Sequence, residues 1–167
     1  IPDPLWSRGL GDVYKRQPLQ SSTRLERKVI EMISGGFDLM MNLLAVAYGL
    51  AFIMIGVAHF REPDKFVEII PAFLPFPLML VYISGAMEIG GGLAIIYPET
   101  RVLAGRFIAL FLIGVYPANL YMWTHDIAFN GTRFDTQGHV LRLLAQLLLI
   151  AAALYLSGDL KLGGNSA

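Results

Sequence analysis

Residues 39–60 read LMMNLLAVAYGLAFIMIGVAHF, 22 residues without a single Asp, Glu, Lys or Arg. As a helix rising about 1.5 Å per residue, this stretch is about 33 Å long, enough to cross a hydrocarbon core of about 30 Å. A soluble amphipathic helix would need a polar face, and only Asn42, Tyr48 and His59 are there to supply one. The pattern recurs downstream. Residues 77–97 carry one charge, Glu88; residues 102–123 carry one, Arg106; residues 139–157 carry one, Arg142. None of these runs alternates in polarity as the strands of a membrane barrel would. The sequence predicts an all-α, four-transmembrane-helix bundle over residues 39–158, with spans at about 39–60, 77–97, 102–123 and 139–157.

The composition agrees. The 167 residues are 55% apolar and 16% charged, against about 25% charged in ordinary soluble domains. Residues 1–38 hold 11 of the 26 charged side chains, so the rest of the chain is poorer still. Thirteen basic and thirteen acidic residues cancel. With zero net charge and no basic stripe, nucleic-acid binding is not expected. The chain has no cysteine, which excludes disulfides, thiolate metal sites and thiol redox chemistry within it.

The connections carry information of their own. In the N-terminal segment, 1–38, residues 1–20 show no periodicity. Their sequence IPDPLWSRGLGDVYKRQ resembles a tail that recurs at the ends of unrelated translated sequences, so they are expected not to be native. Thr23 and Glu26 have the spacing of a capping box, and Leu25, Val29, Met32 and Ile33 follow at helical intervals. That predicts a short interfacial helix over 23–34, ending at Gly35-Gly36. Between spans one and two, Pro63 suits a first helical turn, and Pro71, Pro75 and Pro77 forbid regular helix. A short interfacial helix and a Pro-rich link are expected there. Residues 159–167 form a C-terminal tail. Lys and Arg counts near the span ends favour both termini on the cytoplasmic side.

Few residues could carry chemistry. Glu88 lies at the centre of span two, where a carboxyl costs at least about 2.5 kcal/mol on insertion scales. Gly85, Gly91 and Gly92 share its helical face, so a neighbouring helix can approach closely and Glu88 should point into the bundle. A second small stripe, Ala86, Gly90 and Ala94, runs along another face. Glu88 reads either as a structural group joining helices or as a proton-handling, quinol-facing carboxyl. By depth, Tyr48, Arg106 and Arg142 are its candidate supporting partners. Topology places His59, His125 and His139 at one side of the membrane, with Asn119, Trp123 and Gln146 nearby. Interfacial histidines in an aromatic belt account for them without a metal, and no metal-ligand spacing is present.

Four segments together resemble the DoxX-like family of small bacterial integral membrane proteins. They are Gly56-Val57-Ala58-His59-Phe60, Pro71-Ala72-Phe73-Leu74-Pro75-Phe76-Pro77, the stretch from Val81 through Ser84-Gly85-Ala86-Met87-Glu88-Ile89, and Tyr116-Pro117-Ala118-Asn119-Leu120-Tyr121-Met122. The resemblance covers about residues 42–157. It implies a four-helix bundle in the cytoplasmic membrane and an association with quinone-linked oxidoreductase complexes. His59, Glu88 and Asn119 occupy the family's recurrent polar positions. His59 and Asn119 are thereby expected to be binding residues, with quinone as the expected cofactor. Two functions follow as expectations. One is an accessory subunit of a quinone-linked membrane oxidoreductase, contacting other redox subunits or further copies of itself. The other is a non-catalytic membrane scaffold or maturation factor for a partner protein. No nucleophile–base pair or metal set marks the isolated chain as an enzyme.

Overall fold

The computed structural model describes residues 24–161. Five helices follow in order: α1 (Arg24–Arg61), α2 (Pro63–Val67), α3 (Pro77–Ile96), α4 (Arg101–Thr124) and α5 (Thr136–Leu156). Among the described residues there is no strand, only an isolated bridge between Phe129 and Thr132. Helices α1, α3, α4 and α5 are each long and apolar enough to cross a membrane. The chain is a multi-pass membrane protein built as a four-helix bundle.

The chain divides into two units between Leu39 and Met40. The described part of the first unit is the opening of α1, where every residue is exposed and Ser34 Oγ donates to the Glu31 carbonyl at 3.0 Å. The helix expected over 23–34 does not stop at Gly35-Gly36. It continues without a break into the first span. Two glycines cost about 1 kcal/mol each relative to alanine, but an interrupted backbone ladder entering hydrocarbon would cost several kcal/mol per unsatisfied group. Thr23, residues 1–20 and the tail beyond residue 161 lie outside the described residues.

The second unit is the bundle. Local chemistry sets the ends of its helices. Pro77 starts α3 at a position where the missing N–H costs nothing. Tyr97 turns extended ahead of Pro98 and ends α3. Asp135 caps α5 by accepting from the Gly138 N–H at 2.8 Å. Gly158, at φ 79°, closes α5 where the Leu160 N–H returns to the Leu154 carbonyl. Between α1 and α3 lie the expected short helix, now α2, and the Pro-rich link.

Helices α1 and α3 pack backbone to backbone. A Cβ on Gly49 would stand 2.5 Å from the Gly92 carbonyl oxygen, and one on Gly92 would stand 2.6 Å from that of Gly49. Gly56 and Gly85 form the same reciprocal pair, at 2.6 and 3.0 Å. Two glycine pairs, each seven residues apart on its own helix, therefore fix an antiparallel register. Gly105 does the same for α4 against α5, where a Cβ would meet the Ala153 carbonyl oxygen at 2.5 Å. The core between these contacts is small and apolar: Ala45, Phe52, Ile95, Ala104, Ile108, Ala109, Leu112, Ala153 and Leu156. The outward surface is apolar too. Leu103, Leu110 and Leu148 each leave 70% or more of their surface uncovered, a burden in water that lipid tails remove.

Replacing Gly49 or Gly56 by valine is expected to lower bundle stability in detergent by about 1–3 kcal/mol or more, as overpacking does. Gly90→Ala and Gly114→Ala, where nothing lies within 4 Å of the new methyl, are expected to be neutral or to stabilise by up to about 1 kcal/mol. Thermal unfolding of the four variants measures the contrast.

Candidate functional site

His59 and Glu88 meet inside the bundle. His59 stands in the last turn of α1 and Glu88 in the middle of α3, with Nδ1 of the ring 3.1 Å from Oε2 of the carboxyl. Both side chains are almost entirely buried. The glycine register makes this possible. Gly85 lies one turn from Glu88 on the same face, and a Cβ there would come within 2.7 Å of His59 Cβ.

The ring is held from two further sides. His59 Nδ1 is 2.9 Å from the Ile55 carbonyl oxygen. A carbonyl can only accept, so Nδ1 carries the hydrogen and the neutral ring keeps its lone pair on Nε2. Phe66, from α2, stacks on the imidazole with ring centroids 3.7 Å apart. Glu88 is less well served: its Oε2 is buried and finds no hydrogen-bond partner. The pair is thus one fixed donor–acceptor ring beside an acceptor with unused capacity.

A second polar cluster joins α4 and α5. Arg142 Nη2 donates to Asn119 Oδ1 at 2.9 Å, Asn119 Nδ2 donates to Gln146 Oε1 at 2.6 Å, and Gln146 Nε2 donates to the Leu112 carbonyl at 2.7 Å. Phe129 and Phe134 lie 5.4 and 5.2 Å from the guanidinium carbon. An arginine at the centre of a span costs about 2.5–3.5 kcal/mol on insertion scales. One charge-assisted hydrogen bond returns about 1.5–3 kcal/mol, and each ring contact about 0.5–2 kcal/mol. These contacts orient Arg142 and offset much of that cost, while its buried Nε is left without an acceptor. The two clusters touch through rings, since Phe66 meets Phe129 edge-on at 5.7 Å.

The structure redistributes the residues expected around Glu88. Arg106 does not reach toward it. Its guanidinium forms a fork with Asp159, at 2.8 and 2.7 Å, beyond the end of α5. An exposed arginine near a span end snorkels outward to water and an acid rather than inward. The Tyr48 hydroxyl donates to the Leu149 carbonyl at 2.8 Å and ties α1 to α5. Arg142 binds Asn119. Of the expected binding residues, His59 comes to Glu88 and Asn119 does not. The three histidines separate: His125 lies against Tyr121, and His139 is buried against Trp123 and Phe134. Arg101, which falls between the spans expected at 77–97 and 102–123, is buried. It donates to the Ile95 and Ile96 carbonyls and to Asn42 Oδ1, at 3.2, 3.1 and 2.9 Å, answering the negative end of α3. Its position at the first residue of α4, five residues after α3 ends, is the sequence signal for that role. Met87, Gly90, Gly91 and Ala94 of α3 line an open apolar groove of about 410 Å³ with Leu103 and Phe107 of α4.

A buried acid–imidazole pair between glycine-packed spans defines a membrane helical bundle with a polar interior. Residues 48–157 match the model of a domain of unknown function, DUF8561, and the chain belongs to that family. The matched region contains His59, Glu88, Asn119 and Arg142. No curated protein and no solved structure matches the chain.

The Arg106 fork and the Ser157 hydroxyl hold the Asp159 carboxyl down at about 2. A carboxyl lowered on folding contributes stability above its ordinary value, near 4, and loses it as pH falls through the folded value. Unfolding temperatures of the wild-type chain and of Asp159→Asn, compared from pH 6 down to pH 2, are expected to converge on the acid side. A difference that stays constant over that range would deny the ion pair its role.

Proposed function

We propose that the chain is an accessory subunit of a quinone-linked membrane oxidoreductase complex, in which Glu88 and His59 handle protons at a quinone-facing site. The 3.1 Å pairing of His59 with Glu88 inside the bundle carries this reading. Two groups that can each exchange a proton, held rigidly in a low-dielectric interior, suit proton transfer better than adhesion between helices. The site's groups also fit a quinol: Glu88 Oε2 has acceptor capacity that no protein group uses, and Phe66 stacks its ring on His59. Quinone, when bound, would supply the two-electron, two-proton carrier. The chain's own residues would accept a hydroxyl hydrogen at Glu88, hold His59 in one tautomer through Ile55, and exclude water with Phe66. The resemblance to DoxX-like proteins supports the same reading, and with it a place in the cytoplasmic membrane; the Lys and Arg counts near the span ends support both termini in the cytoplasm.

A second reading is a non-catalytic scaffold or maturation factor. The observation that favours it is the apolar groove at Gly90, whose open floor suits a partner helix. Purification from native membranes in mild detergent separates the two readings. The subunit reading expects co-eluting redox subunits and extractable quinone. It also expects Glu88→Gln to lower quinone turnover by that assembly about a hundredfold, the scale of one acid–base group, with chain abundance unchanged. Unaltered turnover in Glu88→Gln would contradict the mechanism, and a partner without quinone would favour the scaffold.

A further inference from the structure

Arg142 has no part in the site at Glu88, and its chemistry is unfinished. Its Nη2 starts a one-way relay of donors through Asn119 and Gln146 that ends on the Leu112 carbonyl. That relay orients the guanidinium without neutralising it, because every acceptor along it is a neutral amide oxygen. Arg142 Nε is buried and has no acceptor at all. The two arginines of α4 are answered. Arg106 has the two oxygens of Asp159, and Arg101 has two helix-end carbonyls with Asn42. Arg142 takes no part in the ion pairs Lys65–Glu62, Arg106–Asp159 and Arg133–Asp126, nor in the pairing of His59 with Glu88.

The surroundings sharpen the point. Phe129 and Phe134 flank the half-buried guanidinium, their ring centres 5.4 and 5.2 Å from its carbon. A positive charge so flanked, with a buried Nε–H unused on its edge, is the half of a bidentate pair that planar or tetrahedral oxyanions complete. Arg142 is six residues after Thr136, the first residue of α5, and the loop that supplies both rings lies at that end. That depth is within reach of the headgroup layer for a long side chain, and basic sites between spans are where anionic headgroups bind.

We propose that Arg142, oriented by Asn119 and flanked by Phe129 and Phe134, is a binding site for an oxyanion, a phosphate or carboxylate group. It would come either on an anionic lipid or as a free anion. The site is independent of Glu88 and of quinone.

The test uses the full wild-type chain in nonionic detergent, so it does not depend on any variant folding. The ¹⁵N–¹H signal of Arg142 Nε is followed while inorganic phosphate, phosphatidylglycerol or phosphatidylcholine is added. A saturable shift with phosphate identifies a free-anion site. A saturable shift with phosphatidylglycerol, at roughly tenfold lower concentration than any shift with phosphatidylcholine, identifies a headgroup site. Either result supports the proposal. Binding of the probe that shifts the signal is then compared between wild type and Arg142→Gln, by equilibrium dialysis for phosphate or by native mass spectrometry for phosphatidylglycerol, and its loss is expected. No shift with phosphate together with no preference for phosphatidylglycerol over phosphatidylcholine, or undiminished binding of the shifting probe by Arg142→Gln, would overturn it.

Discussion

The meeting of His59 with Glu88 inside the bundle depends on how closely α1 and α3 approach. In a bilayer, apolar side chains gain nothing by leaving lipid for one another, so helices associate through tight packing and polar contacts. Gly49 against Gly92 and Gly56 against Gly85 provide that packing, with each backbone carbonyl facing the bare Cα of the opposite glycine. Contacts of this kind also permit weak Cα–H···O bonds. The two pairs lock both separation and register. A shift of one turn would put side chains where the glycines are and part His59 from Glu88.

The same register separates what sequence reasoning could find from what it could not. The four spans were legible because an uncharged run of some twenty residues fits little besides a helix crossing lipid, and the bounds of α3, α4 and α5 lie within a few residues of those expected. Glu88 was legible for a related reason: an acid amid glycines in an apolar run has to face protein. Its partner was not. Depth counted from span ends assumes that span one finishes level with the start of span two. The glycine pairs instead set His59 beside Gly85, eight residues into α3, or about 12 Å along the helix axis. That levelling is what puts Tyr48 at the depth of Glu88; Arg106, whose depth is counted from the ends of α3 and α4, is instead drawn outward by Asp159. The start of α1 was misplaced because glycine was read as a stop, while the surrounding helix formers and the demand for an unbroken ladder carry the helix through.

The polar groups of the bundle fall into two kinds. Arg101, Arg106 and Tyr48 have partners that satisfy them, and they fasten helices together. Glu88 and Arg142 are held firmly by neighbours yet keep unused capacity. Among the described residues, Glu88 Oε2 and Arg142 Nε are the buried side-chain atoms without a hydrogen-bond partner. One can only accept in its charged form and the other can only donate. Buried groups of this sort are uncommon, and stability alone does not account for them. Phe66 and Phe129 lie between them and are supplied by α2 and the α4–α5 loop. The segments outside the spans thus shape the polar interior as much as the spans do.

The pairing of His59 with Glu88 is the claim on which the functional reading rests, and its distance can be measured directly. Dipolar recoupling between ¹⁵N in the His59 ring and the ¹³C-labelled carboxyl of Glu88, in protein reconstituted into a bilayer, reports that separation. Strong recoupling, in keeping with the 3.1 Å between Nδ1 and Oε2, is the predicted result. Absence of recoupling in the folded, membrane-embedded chain would mean that α1 and α3 do not meet in this register.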